Sequence, residues 1–490
     1  MYLGLDCGTS GLKAILMGED GAPVASAARA YAPDRPRPGW SEQNPNIWRD
    51  AMFGAIADLR ASAPAALAAV KAIGFSGQMH GAVLLDRADR PVRSAILHND
   101  GRARGEAYEL QRDHADLARV TGVKPMPGFA GPTLLWLARN EAPLMREVRR
   151  VVAPKDYLRL VLVGAAATDM SDAAGMWLLD EAARAWSAEA AMVCRADPQW
   201  LPPLAEGTAA MGTIRPEVAD AHGLPRTAIV AAGGGDAAVG AVGLGATAPG
   251  EAFISLGTAT QLIVATDRYV CADPDRMLHG FAHALPGLWY MMAAMLNGAG
   301  ALAFAARLSG TTPEALEREA AESYEGPGQL LFLPYLSGER TPLNDPYARG
   351  VLFGMSETTT RADVARAVME GVALTLGEAR LSLAAAGVEP ERVGLIGGGA
   401  RSALWTRMIA AATGLPIVRM KAGETGPALG AARLARLANT GEAPESVCRP
   451  PPVADVTGPE AALAEKFAAQ RLRFRSLYGA VKDEFRREAT

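Results

Sequence analysis

Two stretches of this chain, one opening at Tyr2 and the other at Glu251, repeat a single pattern of apolar strand, Gly-Thr turn and apolar strand. In the first, Tyr2-Leu3-Gly4-Leu5-Asp6-Cys7 runs into Gly8-Thr9-Ser10-Gly11 and out through Leu12 to Met17. In the second, Ala252 to Leu256 runs into Gly257-Thr258-Ala259-Thr260 and out through Gln261 to Val264. The recurrence of a hairpin at the head of each half predicts a duplicated α/β domain. The turns carry a chemical expectation too. Glycines give room, the Thr9 and Ser10 hydroxyls and backbone N–H groups donate to phosphate oxygens, and Lys13 adds positive charge. A nucleotide is then expected in a cleft with one phosphate-gripping turn on each side.

A length of 490 residues agrees with duplication, because it exceeds what one hydrophobic core usually serves. The boundaries read as 1–245, 246–440 and a linker with a C-terminal helix over 441–490. Net charge is −4 with both signs interspersed, which removes the electrostatic case for nucleic acid or an acidic membrane surface and leaves a small-molecule partner. Four scattered cysteines and six histidines without HExxH spacing indicate neither a zinc site nor a disulfide framework. Met1 leads directly into the first strand without a signal-peptide pattern, so a cytoplasmic location is expected. The uncharged run from Ala284 to Ala306 is long enough to suggest a membrane span. Pro286-Gly287 and Asn297-Gly298-Ala299-Gly300 instead divide it into a strand near Trp289 and a later helix.

The sharpest single site lies at Ile229-Val230-Ala231-Ala232-Gly233-Gly234-Gly235-Asp236, a buried strand stopped by three glycines. It delivers Asp236 at a strand's carboxyl end, where open α/β sheets bind ligands and where a catalytic base belongs. The competing reading is that Asp236 only caps the helix that follows. Other strand ends are polar as well. Val70 to Phe75 leads into Ser76-Gly77-Gln78-Met79-His80-Gly81, and Ile96-Leu97 into His98-Asn99-Asp100-Gly101-Arg102. Met79 beside His80 suits a ligand with hydroxyls on a carbon skeleton. Thr168 to Ala173 reads as a polar loop in which Asp169 and Asp172 either cap helices or touch substrate. Ala205 to Leu224 reads as connective. Val393 to Ile396 leads into Gly397-Gly398-Gly399-Ala400-Arg401-Ser402, whose bare backbone suits a flat adenine or ribose. A final glycine turn and helix are expected over Gly423 to Arg433, and an exposed charged helix at the end.

Together these motifs resemble the FGGY carbohydrate kinases, of the actin/hexokinase/Hsp70-like ATPase fold, over nearly the whole chain. The pieces carrying the resemblance are DCGTSGLK from Asp6, GWSEQNP from Gly39, SGQMHG from Ser76, PKDYLR from Pro154 and TDMSDAAG from Thr168. GGGD at Asp236, LPYLSGERTP from Leu333 and LIGGGARS from Leu395 complete the set. The resemblance implies two ribonuclease H-like domains flanking a cleft, with sugar mostly on the first and ATP mostly on the second. Asp236 is then the general base, and Met79, His80, His98 and Asp100 contact the sugar. Asp6, Gly8, Thr9, Ser10, Lys13, Gly257, Thr258, Gly300, Gly398, Gly399 and Ser402 serve ATP, and Asp6 and Asp236 hold Mg2+ through water. The implied activity is ATP-dependent phosphorylation of D-xylulose, with ribulose, L-xylulose or arabinitol as alternatives and a non-catalytic sugar- or nucleotide-binding regulator behind them. Expected partners are sugar and ATP, with neither nucleic acid nor membrane, and a homodimer is the oligomeric expectation. Three positions depart from the pattern: Ala237 stands where Asn is usual, His98 where an aromatic is usual, and Thr258-Ala259-Thr260 where Thr-Ser-Gly is usual. The first two put the identity of the sugar in question, and the third removes a hydroxyl from the phosphate grip.

Overall fold

The computed structural model describes residues 1–322, 324–421 and 426–487. In the first half, β1 (Tyr2–Cys7) and β2 (Gly11–Met17) form the expected hairpin and β3 (Pro23–Ala30) extends it. Period-2 alternation sends Leu3, Leu5 and Cys7 into one core and Tyr2 to the opposite face, which Gly4 and Asp6 share. The helix α1 (Pro45–Ser62) starts where Asn44-Pro45 predicts, with the Asn44 side-chain oxygen accepting the Asn46 N–H. Trp48, Met52, Ile56 and Leu59 are its buried stripe. There follow β4 (Ala72–Gly77), α2 (Pro154–Val163), α3 (Met170–Gly175), β5 (Ala210–Thr213), β6 (Ile229–Ala231) and α4 (Asp236–Leu244). The sheet order is β5-β6-β4-β1-β2-β3, with Gly234 and Gly235 pairing beside Ser76 and Gly77 of β4.

Two local expectations are corrected here. The stretch from Ala205 to Leu224 is not merely connective, because β5 within it closes the sheet edge antiparallel to β6. Thr168 to Ala173 is not a loop: Asp169 caps α3, accepting from Ser171 N and Asp172 N. A short Asx-capped helix and a polar loop have the same residue preferences, so composition could not separate them.

The second half contains β7 (Ala252–Leu256), β8 (Thr260–Thr266), β9 (Leu278–Ala282), β10 (Trp289–Met295), α5 (Ala299–Leu308) and α6 (Arg361–Ala385). After them come β11 (Val393–Ile396), α7 (Ala403–Thr413), β12 (Ile417–Met420), α8 (Pro427–Thr440), β13 (Val453–Thr457) and α9 (Ala461–Val481). Their order is β9-β10-β8-β7-β11-β12-β13. Around β7 lie an antiparallel hairpin partner on one side and, on the other, two parallel strands and an antiparallel edge strand. Around β1 the arrangement is the same, with β2 on one side and β4, β6 and β5 on the other. The shared strand order is the duplication that the two hairpins announced.

Although α8 follows a strand of the second sheet, it packs against the first. A Cβ on Gly4 would stand 2.0 Å from Ala428 O, and one on Gly74 would stand 1.9 Å from Ala431 O. Glycine at both positions lets the helix backbone lie directly on the strands. This helix also crosses α4, so the two halves meet at a pair of helices of which one begins with Asp236. The C-terminal α9 is more than an exposed charged helix: Leu463, Phe467, Phe474 and Leu477 recur on one face and are buried in the second core. The suspected membrane span is β10 followed by α5, and among the described residues no helix is long and apolar enough to cross a membrane. The glycine turn expected at Gly423 lies outside the described residues, whereas its helix is α8.

Candidate active site

The first Gly-Thr turn is held from several sides at once. Tyr31 Oη donates to Gly8 O at 2.8 Å, Gln43 Nε2 to Thr9 O at 2.8 Å, and Thr9 Oγ1 to Gln78 Oε1 at 3.2 Å. Gln43 in turn accepts from Trp48 Nε1 and Gln78 Nε2. The glutamines of the GWSEQNP and SGQMHG segments therefore brace a turn far away in sequence. Ser10 is exposed, and Lys13 stands across the β1–β2 ladder from Asp6.

Asp6 is the penultimate residue of β1, with Oδ1 buried and without a hydrogen-bond partner. Burial raises its pKa from 3.8 to about 6, against the opposing pull of Ser76 and Lys13. Asp236 sits at the first position of α4, where Gly235 is the cap residue and no side chain caps the helix. The capping reading is thereby excluded. Asp236 is partly exposed, yet desolvation, reinforced by the charge of Asp6, raises its pKa to about 7 against the nearby Ala237 N–H. Two carboxylates, of which Asp6 opposes the ionisation of Asp236 and carries an unpartnered oxygen, form a donor set that fits a divalent cation also bound by phosphate and water oxygens. Among the described residues no group of three or more His, Cys, Asp or Glu is arranged to hold a metal alone.

The turn that presents Asp236 is fixed by residues whose role sequence reasoning left open. Gly233 adopts φ +81, the left-handed region that favours glycine. Arg159 Nη1 donates to Ala232 O at 3.2 Å before the turn, and Gly235 N donates to Ser171 Oγ at 2.9 Å after it. Both anchors belong to a wholly buried ionic cluster. Lys155 Nζ lies 2.5 Å from Asp156 Oδ1, 2.8 Å from Asp169 Oδ1 and 3.2 Å from Asp172 Oδ2, while Arg159 lies 3.3 Å from Asp156. Ser171 Oγ donates to Asp169. Burial pushes the Asp172 carboxyl well above its ordinary pKa, with Asp169 and Asp156 adding to the rise against the pull of Lys155. PKDYLR and TDMSDAAG thus supply a scaffold beneath the turn that presents Asp236.

From Asp236 a line of residues runs outward through Met79 to a polar end. A Cβ on Gly235 would meet Met79 Sδ at 2.7 Å, and Tyr290 Oη lies 3.9 Å from that sulfur. His80 takes φ +75, bonds Gly175 O through Nδ1 at 2.8 Å, and stacks on Phe129 at 4.3 Å. Burial pushes the His80 pKa down to about 3 and that of His98 to about 4, so both rings are neutral at physiological pH. His98 Nδ1 is buried without a partner. Asp100 departs from expectation: its oxygens accept from Ser41 N, Arg102 N, Arg102 Nε and Arg102 Nη2. With its lone pairs occupied it orders the wall of the site and has none left for a sugar. Phe129, His279, Tyr290 and Arg340 escaped sequence reasoning. Their segments were legible as strand or loop, but nothing local said that they converge on His80.

On the second half three glycine segments meet. Ala299 N donates to Gly257 O at 2.7 Å and Gly300 N to Thr258 O at 3.3 Å. Gly397 and Gly399 lie against Leu256, the residue before the Gly257-Thr258 turn, while a Cβ on Gly398 would meet nothing within 4 Å. Such a backbone surface, open at Gly398, suits a flat ligand. Ser402 does not belong to it by its hydroxyl, which accepts from Trp405 N as the cap of α7 and donates to Glu317 at 2.7 Å.

Duplicated α/β domains with a carboxylate pair near one Gly-Thr turn and a glycine platform beside the other make an actin/Hsp70-ATPase-like architecture. The chain belongs to the FGGY family of carbohydrate kinases: the model of the family's N-terminal domain matches residues 1–243 and that of its C-terminal domain residues 252–438. It is similar to the xylulose kinase of Klebsiella pneumoniae, with 43% identity over 98% of this chain and 99% of that one. Among solved structures it resembles a xyloylose kinase from Brucella ovis, with 44% identity, a TM-score of 0.96 and coverage of 98% and 99% of the two chains. A xylulose kinase from Rhodospirillum rubrum, 29% identical, gives a TM-score of 0.92 with 99% of each chain covered.

Proposed function

We propose that this protein transfers the γ-phosphoryl group of ATP to the C5 hydroxyl of D-xylulose. The observation that carries the reading is Asp236, presented at a helix start with its pKa raised to about 7, because a base poised near neutrality is what proton removal from a sugar hydroxyl requires. Asp236 accepts the proton of O5 while that oxygen forms its bond to the γ-phosphorus. The bond from phosphorus to the β,γ-bridging oxygen breaks and ADP leaves. The Gly8–Ser10 and Gly257–Thr258 turns hold phosphate oxygens, and the Gly397–Gly399 segment carries the adenosine. Asp6 and Asp236 face the Mg2+, which when bound neutralises charge on the transferring phosphate. Braced on the Lys155 cluster, the base holds its direction, and electrostatic positioning supplies most of the rate. D-Xylulose as the acceptor rests on the chain's similarity, over nearly its whole length, to xylulose kinases.

His98, with a buried unpartnered nitrogen in the wall of the site, favours a second reading in which a related ketopentose or polyol is preferred. The test is ATP-dependent phosphorylation across D-xylulose, D-ribulose, L-ribulose, L-xylulose, D-arabinitol and glycerol, with Asp236→Ala as control. The highest kcat/KM for D-xylulose, lost in the variant, supports the proposal. Preference for another sugar refutes the substrate, and turnover that falls less than about 100-fold in the variant refutes the base.

A further inference from the structure

Arg340 is the second half's contribution to the far end of this site, and its guanidinium has nothing to bind. Its backbone N–H donates to Glu339 Oε1, but its side chain donates no hydrogen bond to any described residue. Glu339 balances it only at a distance, since that carboxylate is committed to Leu296 N, Arg340 N and Asn297 Nδ2. Thr341 pins the segment to the β9–β10 hairpin: its N–H donates to Ala294 O, and its hydroxyl donates to Met277 O and accepts from Ala294 N. His279, on the same hairpin, is fully buried with both ring nitrogens lacking partners, between Phe129 at 6.4 Å and Phe281 at 5.3 Å. The charge of Arg340 is felt by His80, His98 and His279, whereas Asp236 responds to Asp6. Through Thr341, Arg340 thus stands beside the hairpin that carries His279, whose ring shares Phe129 as a neighbour with His80.

The chemistry of the acceptor says what that end must do. The five-membered ring of a 2-ketopentose closes through O5, so a sugar phosphorylated at O5 has to be held open, with a free ketone at C2. A ketone has only lone pairs to offer, and a half-buried guanidinium with unused N–H groups is a strong donor for it. We propose that Arg340, assisted by His279, is the specificity determinant that recognises the C2 carbonyl of an open-chain ketose. The inference rests on the kinase reading above. In this arrangement the first half holds the reacting hydroxyl and the second half holds the carbonyl, so recognising the correct sugar draws the two halves together.

The test compares D-xylulose with D-arabinitol, which differs by reduction of the C2 carbonyl, in the wild-type protein and in Arg340→Gln, Arg340→Lys and His279→Asn. Where the polyol is not turned over, its inhibition constant replaces kcat/KM. Arg340→Gln is expected to lower kcat/KM for D-xylulose about 100-fold, since it removes a charged hydrogen bond, while the D-arabinitol value changes less than about threefold. His279→Asn is expected to act in the same direction by about tenfold. Equal losses on both compounds, or an unchanged ratio between them, overturn the inference. If Arg340→Gln does not fold, Arg340→Lys decides by the same ratio, because it keeps the charge and loses the planar fork. A wild-type protein that phosphorylates neither compound refutes the kinase substrate itself, a result separable from an unchanged ratio in an active enzyme.

Discussion

Replacing Asp236 by Asn should abolish turnover and at the same time stabilise the fold at alkaline pH. Desolvation first, then Asp6, raises its pKa from 3.8 to about 7. A folded pKa above the unfolded one means that the native state binds the proton more tightly. Stability is therefore greatest below the unfolded value, declines as pH rises between 3.8 and about 7, and is level above. A rise of that size corresponds to about 4 kcal/mol against the charged form, and halving it for the water that reaches a partly exposed carboxylate leaves about 2 kcal/mol. Asn has no charge to desolvate. Asp236→Asn should melt about 2–4 °C above the wild type at pH 8 and level with it near pH 4. The assay is differential scanning calorimetry of the ligand-free proteins across that range, beside kcat, which should fall by about two to four orders of magnitude. A variant that melts at or below the wild type at pH 8 would refute the argument that the site strains its base.

Other consequences are open to simpler measurements. In the ligand-free enzyme kcat/KM should rise with pH through an inflection near 7 set by Asp236, and a flat profile between pH 6 and 8 would count against its role as base. Ser171→Ala removes the acceptor for Gly235 N and should lower kcat about tenfold with little change in KM, because it loosens the base without touching the sugar. Lys155→Met leaves Asp169 and Asp172 buried without their cation, and Asp156 with Arg159 alone, and should cost about 3–5 kcal/mol, seen as a large fall in melting temperature or loss of soluble protein. Gly74→Val places side-chain atoms where Ala431 O already stands, so it should unseat α8 and lower stability and activity together, whereas Gly479→Ala, within α9 and with open space around it, should cost far less.

The elements that were legible in advance are those whose signals are local. Alternation in Tyr2 to Met17 and Ala252 to Val264 specifies hairpins whatever surrounds them, and Asn44-Pro45 starts α1 by satisfying its own first turn. Gly233 to Asp236 announced a carboxylate at a strand end, since only glycine is at ease at φ +81. The expectations that the structure corrects concern residues whose side chain does not itself say which of several partners it takes. Asp100 carries the same side chain whether it faces a sugar or Arg102, Ser402 the same hydroxyl whether it grips phosphate or caps α7, and Asp169 the same carboxylate in a loop or in an ion cluster.

By itself the sequence determined a duplicated α/β chain, its two Gly-Thr turns and the carboxylate most suited to be the base, because period, turn chemistry and glycine permissiveness act within a few residues. Tertiary structure alone decided that α8 lies on the opposite sheet, that Lys155 and Ser171 brace the turn before Asp236, and that His279 and His80 share Phe129 as a neighbour. Those relations depend on burial and on contacts between segments hundreds of residues apart. Burial is also what shifts the ionisation of Asp6 and Asp236, so the chemistry of the site is a property of the packed chain.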